Sequence, residues 1–194
     1  MDQALLNVVL IAKKNTSLSL RSALKSVIDQ TYKAIEILVV DANEPNSMYS
    51  LGLQEDLADY PKVRYLQMDQ SLSIPQIRNY CVNTLEGEFI TFLSCNDKWD
   101  SLYTPLQMDR LIRDTQGGAS CCNGILVDER KMGSSVKSLF GSMTFFSSGW
   151  VLTPPAPVQV IYRSCVVKEL GGFDEHFEIY CDADMLMRIN RHYQ

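Results

Sequence analysis

Residues 35–41 read IEILVVD, an apolar run that ends on a carboxylate. A run of this length, rich in Ile and Val, is typical of a strand that is buried on both faces of a parallel sheet. Residues 5–12 (LLNVVLIA) and 89–93 (FITFL) have the same character, and residues 63–66 (VRYL) indicate a shorter strand. These four segments predict a central sheet.

Amphipathic segments separate the strands. Ser73 and Pro75 are expected at the start of one helix, because serine caps helix N-termini and proline is accepted in the first turn. Gly87 is expected to end that helix. Strands that alternate with helices predict βαβ units. The apolar positions expected to face the core are Leu20, Ala23, Leu24, Val27 and Ile28 in the first helix and Ile77, Tyr80, Cys81, Thr84 and Leu85 in the helix after Ser73.

The second half of the chain has a weaker pattern. The expected elements are a helix opening at Thr104 and Pro105 with Leu106, Leu111 and Ile112 facing inward, strands within 117–127 and 158–162, and helices at 165–170 and 182–191. Residues 133–148, rich in Ser, Gly and Phe, are expected to form a surface loop. The predicted fold class is therefore α/β, with a mainly parallel, Rossmann-like sheet flanked by helices in a single domain.

Composition excludes several classes of protein. The chain has 194 residues and a mass of 22.0 kDa, which suits one domain. Hydrophobic residues make up 46% and charged residues 21%, the balance of a folded chain and not a disordered one. The net charge of −5 argues against a nucleic-acid partner, because phosphate binding needs a clustered positive surface.

No apolar run approaches the roughly 18–20 residues of a membrane-spanning helix, so no transmembrane segment is expected. Residues 4–12 have no basic lead-in and are interpreted as a strand and not a signal peptide. The six cysteines form no CxxC pair, which argues against a zinc site or a disulfide framework. A reducing compartment is expected, and with it a cytoplasmic localisation.

Polar residues follow two of the buried strands. Asp41 ends one strand, and Ser94–Asp97 (SCND) follow the strand at 89–93. Ligands of open parallel sheets bind outside the carboxyl ends of the strands. These residues therefore form the candidate site. The alternatives are a turn carboxylate for Asp41 and a helix cap for Asp97.

Five sequence blocks occur in order along the chain. They are VVLIAKKN (8–15), SALKSVIDQTYKAIEILVVDA (22–42), IRNYCVNTLEGEFITFLSCNDKW (77–99), GGFDEHF (171–177) and CDADMLMR (181–188). Together they resemble glycosyltransferase family 2, the inverting nucleotide-sugar transferases with the A-type (GT-A) fold. The resemblance covers nearly the whole chain, from about Asn7 to Arg191.

The resemblance implies one glycosyltransferase domain over residues 1–194, with a nucleotide-sugar-binding half at about 1–100 and an acceptor-side half at about 101–194. The implied reaction moves a hexose-type sugar, with a UDP-sugar favoured, to an acceptor hydroxyl with inversion, in polysaccharide biosynthesis. Asp182 matches the family's general base. The implied partners are the donor and a carbohydrate or glycoconjugate acceptor, with peripheral membrane contact left open. Family members usually continue beyond this chain's last residue, so truncation at the C-terminus is an expectation.

The resemblance also implies a donor site. Carboxylates suit this chemistry, because a hard cation can bridge the leaving diphosphate and a carboxylate can deprotonate the acceptor. A divalent cation, Mg²⁺ or Mn²⁺, would be held by Asn96 and Asp97. The implied nucleotide-sugar contacts are Ala12, Asp41, Asn43, Arg78, Cys95, Asn96 and Asp97.

Three motifs depart from the family pattern. The usual Asp-Asp after the second strand is Asp41-Ala42, so Asp41 is kept and the contact with the base is lost unless Asn43 substitutes. The usual Asp-x-Asp-Asp is Ser94–Asp97 (SCND), and the usual Glu-Asp is Cys181-Asp182. A neutral amide is a weaker ligand for these cations than a carboxylate. Catalysis is therefore expected to suffer more than binding.

Other interpretations remain open at this point. A degenerate, non-catalytic relative that serves binding or assembly is favoured by the SCND sequence. A nucleotidyltransferase would need a glycine-rich phosphate loop, which AKKN (12–15) lacks. Asp182 as a charge at a helix N-terminus and Arg78 as a solvated helix residue are the alternatives for those two positions. Cys95 and Cys181 are expected to be packed thiols and not nucleophiles.

Overall fold

The computed structural model describes residues 3–13, 20–122, 125–127, 136–138 and 160–193, with residues 125–127 and 136–138 described by their backbone. Asn15, Thr16 and Ser17, whose side chains are expected to cap the start of the first helix, lie outside these residues. The expected loop at 133–148 also lies outside them, except for a short strand at Val136–Ser138.

The described residues contain eight strands and six helices. The strands are β1 (Leu6–Ala12), β2 (Ile35–Asp41), β3 (Arg64–Gln67), β4 (Phe89–Ser94), β5 (Ala119–Cys121), β6 (Ile125–Val127), β7 (Val136–Ser138) and β8 (Val160–Arg163). The helices are α1 (Leu20–Ile28), α2 (Met48–Leu57), α3 (Ile74–Thr84), α4 (Tyr103–Arg113), α5 (Ser164–Glu169) and α6 (Cys181–His192). Within this part of the chain, no helix has both the length and the apolar character needed to cross a membrane.

Six strands form the main sheet in the order β3-β2-β1-β4-β8-β5. The first four are parallel, whereas β8 runs antiparallel to both β4 and β5. The predicted mainly parallel α/β fold is therefore confirmed. The chain leaves β1 toward β2 and β3 and then returns to β4 on the other side of β1. The point where the strand order reverses thus lies between β1 and β4.

Two apolar cores cover the sheet, one on each face. Successive strand side chains point to opposite faces, so Val8 and Leu10 lie in the first core and Val9 lies in the second. The first core takes its helical residues from α1, α2 and α4. The second takes them from α3, α5 and α6. The result is a sheet with helices on both faces.

The start of α3 follows the expected chemistry, but its end does not. The Ser73 side chain accepts from the backbone N of Gln76, the Gln76 side chain accepts from the backbone N of Ser73, and proline lies in the first turn. The helix already ends at Thr84. Gly87 serves another purpose, because its N–H donates to Asn7 Oδ1 at 2.6 Å and an added Cβ would lie 2.0 Å from that oxygen.

Five residues expected to face the core are exposed. Polar side chains occupy part of the buried faces in their place: Arg78 in α3, and Thr104 and Gln107 in α4. A pattern of apolar residues cannot identify such positions, because it assigns polar side chains to the solvent face. The exposed residues are Ile28, Tyr80, Thr84, Leu106 and Ile112.

Candidate functional site

The carboxyl ends of β1, β2 and β4 meet at one edge of the sheet. Ala12 is the register partner of Asp41, and Ile11 is the register partner of Ser94. A hydrogen bond from Ala42 N to Ala12 O, 2.9 Å, continues the β1–β2 ladder. The expected donor residues at these strand ends are therefore brought together beside the switch point, where sheets of this kind bind ligands.

Asp41 is fully buried, and both of its carboxylate oxygens have partners. Oδ1 accepts from the backbone N and from Nδ2 of Asn43, at 2.9 and 2.8 Å, and Oδ2 accepts from the Tyr65 hydroxyl at 2.8 Å. Burial and, to a smaller extent, the hydrogen bond to Asp41 raise the pKa of Tyr65, so its hydroxyl stays a donor. The carboxylate thus holds the turn that follows β2.

Asn43 is oriented by this turn. Its Nδ2 donates to Asp41 and also contacts Ala12 O at 3.4 Å, whereas its Oδ1 has no partner among the described residues. Gln67 Nε2 donates to the carbonyl oxygens of Asp41 and Asn43, both at 3.0 Å. Gln67 was not singled out from the sequence, because a glutamine in a short strand carries no recognisable pattern. The amide oxygen of Asn43 is an acceptor that this edge can offer to a ligand.

The SCND segment forms a tight turn at the end of β4. Asp97 N donates to Ser94 O at 3.0 Å, and Asn96 N donates to Ser94 Oγ at 3.2 Å. Cys95 is fully buried in the first core, so its thiol is a packed group, and only its backbone is left to face a donor. Asn96 is exposed and Asp97 is partly buried. Burial raises the pKa of the Asp97 carboxyl.

This turn is also where the implied divalent cation would bind. Asp97 supplies its one carboxylate and Asn96 its one amide. Among the described residues, no three His, Cys, Asp or Glu side chains are grouped so that they could hold a metal ion. Mg²⁺ and Mn²⁺ prefer charged oxygen ligands. The described donor set therefore does not fit a cation held by the protein.

Gln30 fixes the chain that follows the turn. Its Oε1 accepts from N and Oγ1 of Thr104, at 2.9 and 2.8 Å, and its Nε2 donates to Asp100 O at 2.7 Å. The side chain is fully buried. Gln30 was also missed in the sequence, although the Q-T-Y turn of the second block marks its position. It ties the end of α1 to the start of α4 and so supports the loop that contains Asp97.

A second polar cluster lies on the other side of the sheet. Arg78 of α3 and Asp182 of α6 form an ion pair, with Nη1 2.7 Å from Oδ2. The Tyr162 hydroxyl of β8 donates to Asp182 Oδ1 at 2.9 Å, and Arg78 Nη1 also lies 3.1 Å from Cys181 Sγ. Arg78 and Asp182 are 3% and 4% exposed. The interpretation of Arg78 as a solvated residue is therefore wrong.

Aromatic rings surround the guanidinium of this cluster. The Arg78 Cζ lies 4.9 Å from the ring centre of Phe92 and 5.3 Å from that of Phe173. Desolvation by itself would lower the pKa of Arg78. The Asp182 carboxylate and its neighbours raise that pKa by a larger amount, so the net shift is upward. Burial, followed by the Asp182 charge, raises the pKa of Tyr162 well above its ordinary value. Arg78 thus stays charged and Tyr162 stays protonated.

Asn79, the next residue of α3, holds the GGFDEHF block. Its Oδ1 accepts from Phe173 N at 2.7 Å, and its Nδ2 donates to Phe173 O at 2.9 Å. Gly172 has a φ of +81°, and an added Cβ would lie 2.6 Å from Asn79 Oδ1. Arg78 and Asn79 therefore connect α3 to both of the C-terminal blocks found in the sequence.

The carboxylates of Asp41 and Asp182 lie on opposite faces of the sheet. Asp41 is in phase with Val39 along β2, and Val39 and Tyr65 belong to the first core and its border. Tyr162, Cys181 and the rings around Arg78 belong to the second core. A cavity of about 330 Å³ lies between α2 and β3, beside Tyr65, and it reaches neither Asp97 nor Asp182.

Comparison with known protein families identifies the family of this chain. The model described as Glycosyl transferase family 2 matches residues 8–164, most of the chain. The chain belongs to glycosyltransferase family 2. Among curated relatives of this family 2 chain, the O-antigen biosynthesis protein RfbC of Myxococcus xanthus is 26% identical over 88% of the chain and 15% of its own length. The glycosyltransferase GlyA of Streptococcus pneumoniae serotype 4 is 28% identical over 46% of the chain and 12% of its own length.

Solved structures share the fold. S. aureus TarS 1–349 in complex with UDP-GlcNAc has a TM-score of 0.72 at 19% identity, over 98% of this chain and 54% of that one. The mannosyltransferase PcManGT from Pyrobaculum calidifontis, in complex with GDP-Man and Mn²⁺, has a TM-score of 0.72 at 14% identity, over 100% and 54%. The family 2 chain thus spans about one seventh of these curated relatives and about half of these solved chains.

Proposed function

We propose that this family 2 chain moves a sugar from a nucleotide-diphosphate sugar to an acceptor hydroxyl with inversion. The observation that carries the proposal is the meeting of the β1, β2 and β4 ends at the switch point of the sheet, in a member of this family. A UDP-sugar is the favoured donor. A polysaccharide or glycoconjugate is the proposed acceptor, in keeping with the names of the relatives.

The donor would bind across the ends of β1, β2 and β4, within about the first hundred residues. Asn43 Oδ1 would accept a hydrogen bond from a base N–H. Ala12 is fully buried in the first core, so it would border the base only with its backbone at the end of β1. Asp41 acts by holding Asn43 in place, since its own oxygens are occupied. The turn at Ser94–Asp97 would face the diphosphate. No step depends on a divalent cation, because the described donor set does not fit one.

Asp182 is the proposed base, within an acceptor-side half at about 101–194. It would take the proton of the acceptor hydroxyl while that oxygen bonds to the anomeric carbon and the bond to the diphosphate breaks. A carboxylate has about four lone-pair positions. Arg78 and Tyr162 use two of them, and the Cys181 thiol makes a longer contact of 3.9 Å with Oδ2. The remaining positions are available to an acceptor. Arg78 holds the Asp182 carboxylate in place through an ion pair of 2.7 Å.

The second candidate function is a non-catalytic module that keeps the fold for binding or assembly. Two observations favour it. Asp182 is almost fully buried with a partner on each oxygen, and SCND replaces an acidic motif. In such a module the Arg78–Asp182 pair would serve only to join α3 to α6.

Calorimetry with UDP, UDP-GlcNAc and GDP-mannose, followed by assays of nucleotide release and sugar transfer, tests the proposal. The wild type should bind a donor and transfer its sugar. Asp182→Asn should keep donor binding and lose about 10²-fold or more of the transfer rate. Because this change also breaks a buried ion pair, Arg78→Met/Asp182→Leu is the folding control and should be equally inactive. Equal, background-level release by all three proteins would support the non-catalytic module.

A further inference from the structure

Tyr162 has a chemical role in the Arg78–Asp182 cluster that its sequence context does not reveal. It lies in the middle of β8 and is fully buried. Its hydroxyl donates to Asp182 Oδ1, whereas Arg78 donates to Oδ2 of the same carboxylate. The two donors therefore approach two different oxygens, and they come from two different elements of the fold.

We propose that Tyr162 is a positioning residue that, together with Arg78, fixes the rotation of the Asp182 carboxylate about its χ2 angle. This inference rests on the proposed role of Asp182 as the base. The χ2 torsion of an aspartate is broad, so one donor alone leaves the carboxylate plane poorly defined. Two donors on separate oxygens define that plane. The lone pairs that remain then point in one direction, toward which an acceptor hydroxyl must approach.

The surroundings of Tyr162 suit this task. Its ring packs edge-on against Phe173, with ring centres 5.6 Å apart, and its backbone pairs with Ile90 of β4 and Ala119 of β5. The ring is thus held by strands on both sides and by an aromatic neighbour. Burial and the Asp182 charge keep the hydroxyl protonated, so it remains a donor over the whole range of working pH.

Tyr162→Phe removes one oxygen and tests the proposal. The kcat should fall about tenfold, as expected for loss of a hydrogen bond to a charged group, with the KM for the donor nearly unchanged. The acid limb of the pH–rate profile should move to higher pH, because a carboxylate that loses a donor is protonated more readily. Tyr32→Phe is the matched control. Tyr32 is also buried, but it belongs to the first core, on the other face of the sheet from Tyr162, and its hydroxyl donates to Ala4 O.

A second measurement separates this inference from the proposed reaction. The carboxyl carbon of Asp182 can be followed by NMR through a pH titration without any substrate. Its protonation midpoint should rise in Tyr162→Phe and stay unchanged in Tyr32→Phe. If Tyr162→Phe does not fold, wild-type protein labelled with 3-fluorotyrosine, a stronger donor, should show the opposite shift. An Asp182 titration that responds to none of these changes would overturn the inference, whether or not the wild type transfers sugar.

Discussion

Arg78 and Asp182 are 104 residues apart in the chain, yet Arg78 Nη1 lies 2.7 Å from Asp182 Oδ2. Their side chains are only 4% and 6% exposed. The pair joins α3, which leads into β4 and the SCND turn, to the first turn of α6. A buried pair adds little over well-packed apolar residues, but removing one partner leaves an uncompensated charge.

Arg78→Met should therefore lower the free energy of unfolding by about 3–5 kcal/mol. Arg78→Met/Asp182→Leu should recover most of that loss, because no unpaired charge remains. Chemical denaturation measures both. Arg113→Met is the control, since Arg113 pairs with Asp109 on the surface and should change stability little. A double variant as unstable as the single one would show that packing, and not charge, dominates.

Gly171 and Gly172 allow the cost of backbone strain at positive φ to be separated from the cost of a steric clash between an added Cβ and Asn79. Both have a φ of +81°, but an added Cβ meets nothing within 4 Å at Gly171 and lies 2.6 Å from Asn79 Oδ1 at Gly172. Gly171→Ala should cost about 1–2 kcal/mol, the usual penalty for this backbone region. Gly172→Ala should cost clearly more, because Asn79 must also release Phe173. Equal losses in thermal or chemical unfolding would contradict the close approach.

Asp97 should make stability depend on pH. Burial raises its folded-state pKa, so the folded protein binds this proton more tightly than the unfolded chain does. Stability is therefore lost as pH rises from the unfolded value, about 3.9, through the raised value. Asp97→Asn removes this loss. The unfolding free energy of the variant minus that of the wild type should increase across this window and then level off. A decrease would mean that a neighbour stabilises the ionised form.

Asn96→Asp should create affinity for a divalent cation. It would place a second carboxylate beside Asp97 in the turn after β4, and a hard cation prefers charged oxygen ligands. Titration with Mn²⁺, followed by electron paramagnetic resonance, should show tighter binding than in the wild type. Asn83→Asp, an exposed position of α3, has the same change in charge and should not alter binding. If the wild type binds Mn²⁺ as tightly as Asn96→Asp does, the native turn already holds the cation without a second carboxylate.

The parts of the fold that follow from periodic apolar runs were predictable. The strands β1, β2 and β4 and the helices α1, α3 and α6 lie close to their expected positions, because continuous apolar runs and helical spacing reflect burial directly. The start of α3 was also predictable, since its capping chemistry is local. The assignment of some exposed residues to the core was wrong. Tyr80 is one of them, because Arg78 takes a buried position of α3 instead.

The internal partners of the site residues could not be predicted. Asp41 was expected at the ligand-binding edge and Asp182 as the base, but no sequence motif reveals that the Tyr65 and Tyr162 hydroxyls donate to their carboxylates. Gln30 and Gln67 were missed for the same reason: each bonds residues that are distant along the chain. Such contacts depend on which elements pack together, and single-sequence patterns contain only the spacing within each element.

The adjacency of Arg78 and Asn79 bears on synthesis and on engineering. During translation, Arg78 leaves the ribosome about a hundred residues ahead of its counter-ion, and Asn79 leaves 94 residues ahead of Phe173. Until the C-terminal residues are synthesised, Arg78 therefore has no counter-ion and the Asn79 side chain lacks its hydrogen bonds to Phe173. We expect that splitting the gene near residue 100 would yield two fragments that fold only when co-expressed, so residues 1–100 and 101–194 cannot be exchanged independently between relatives.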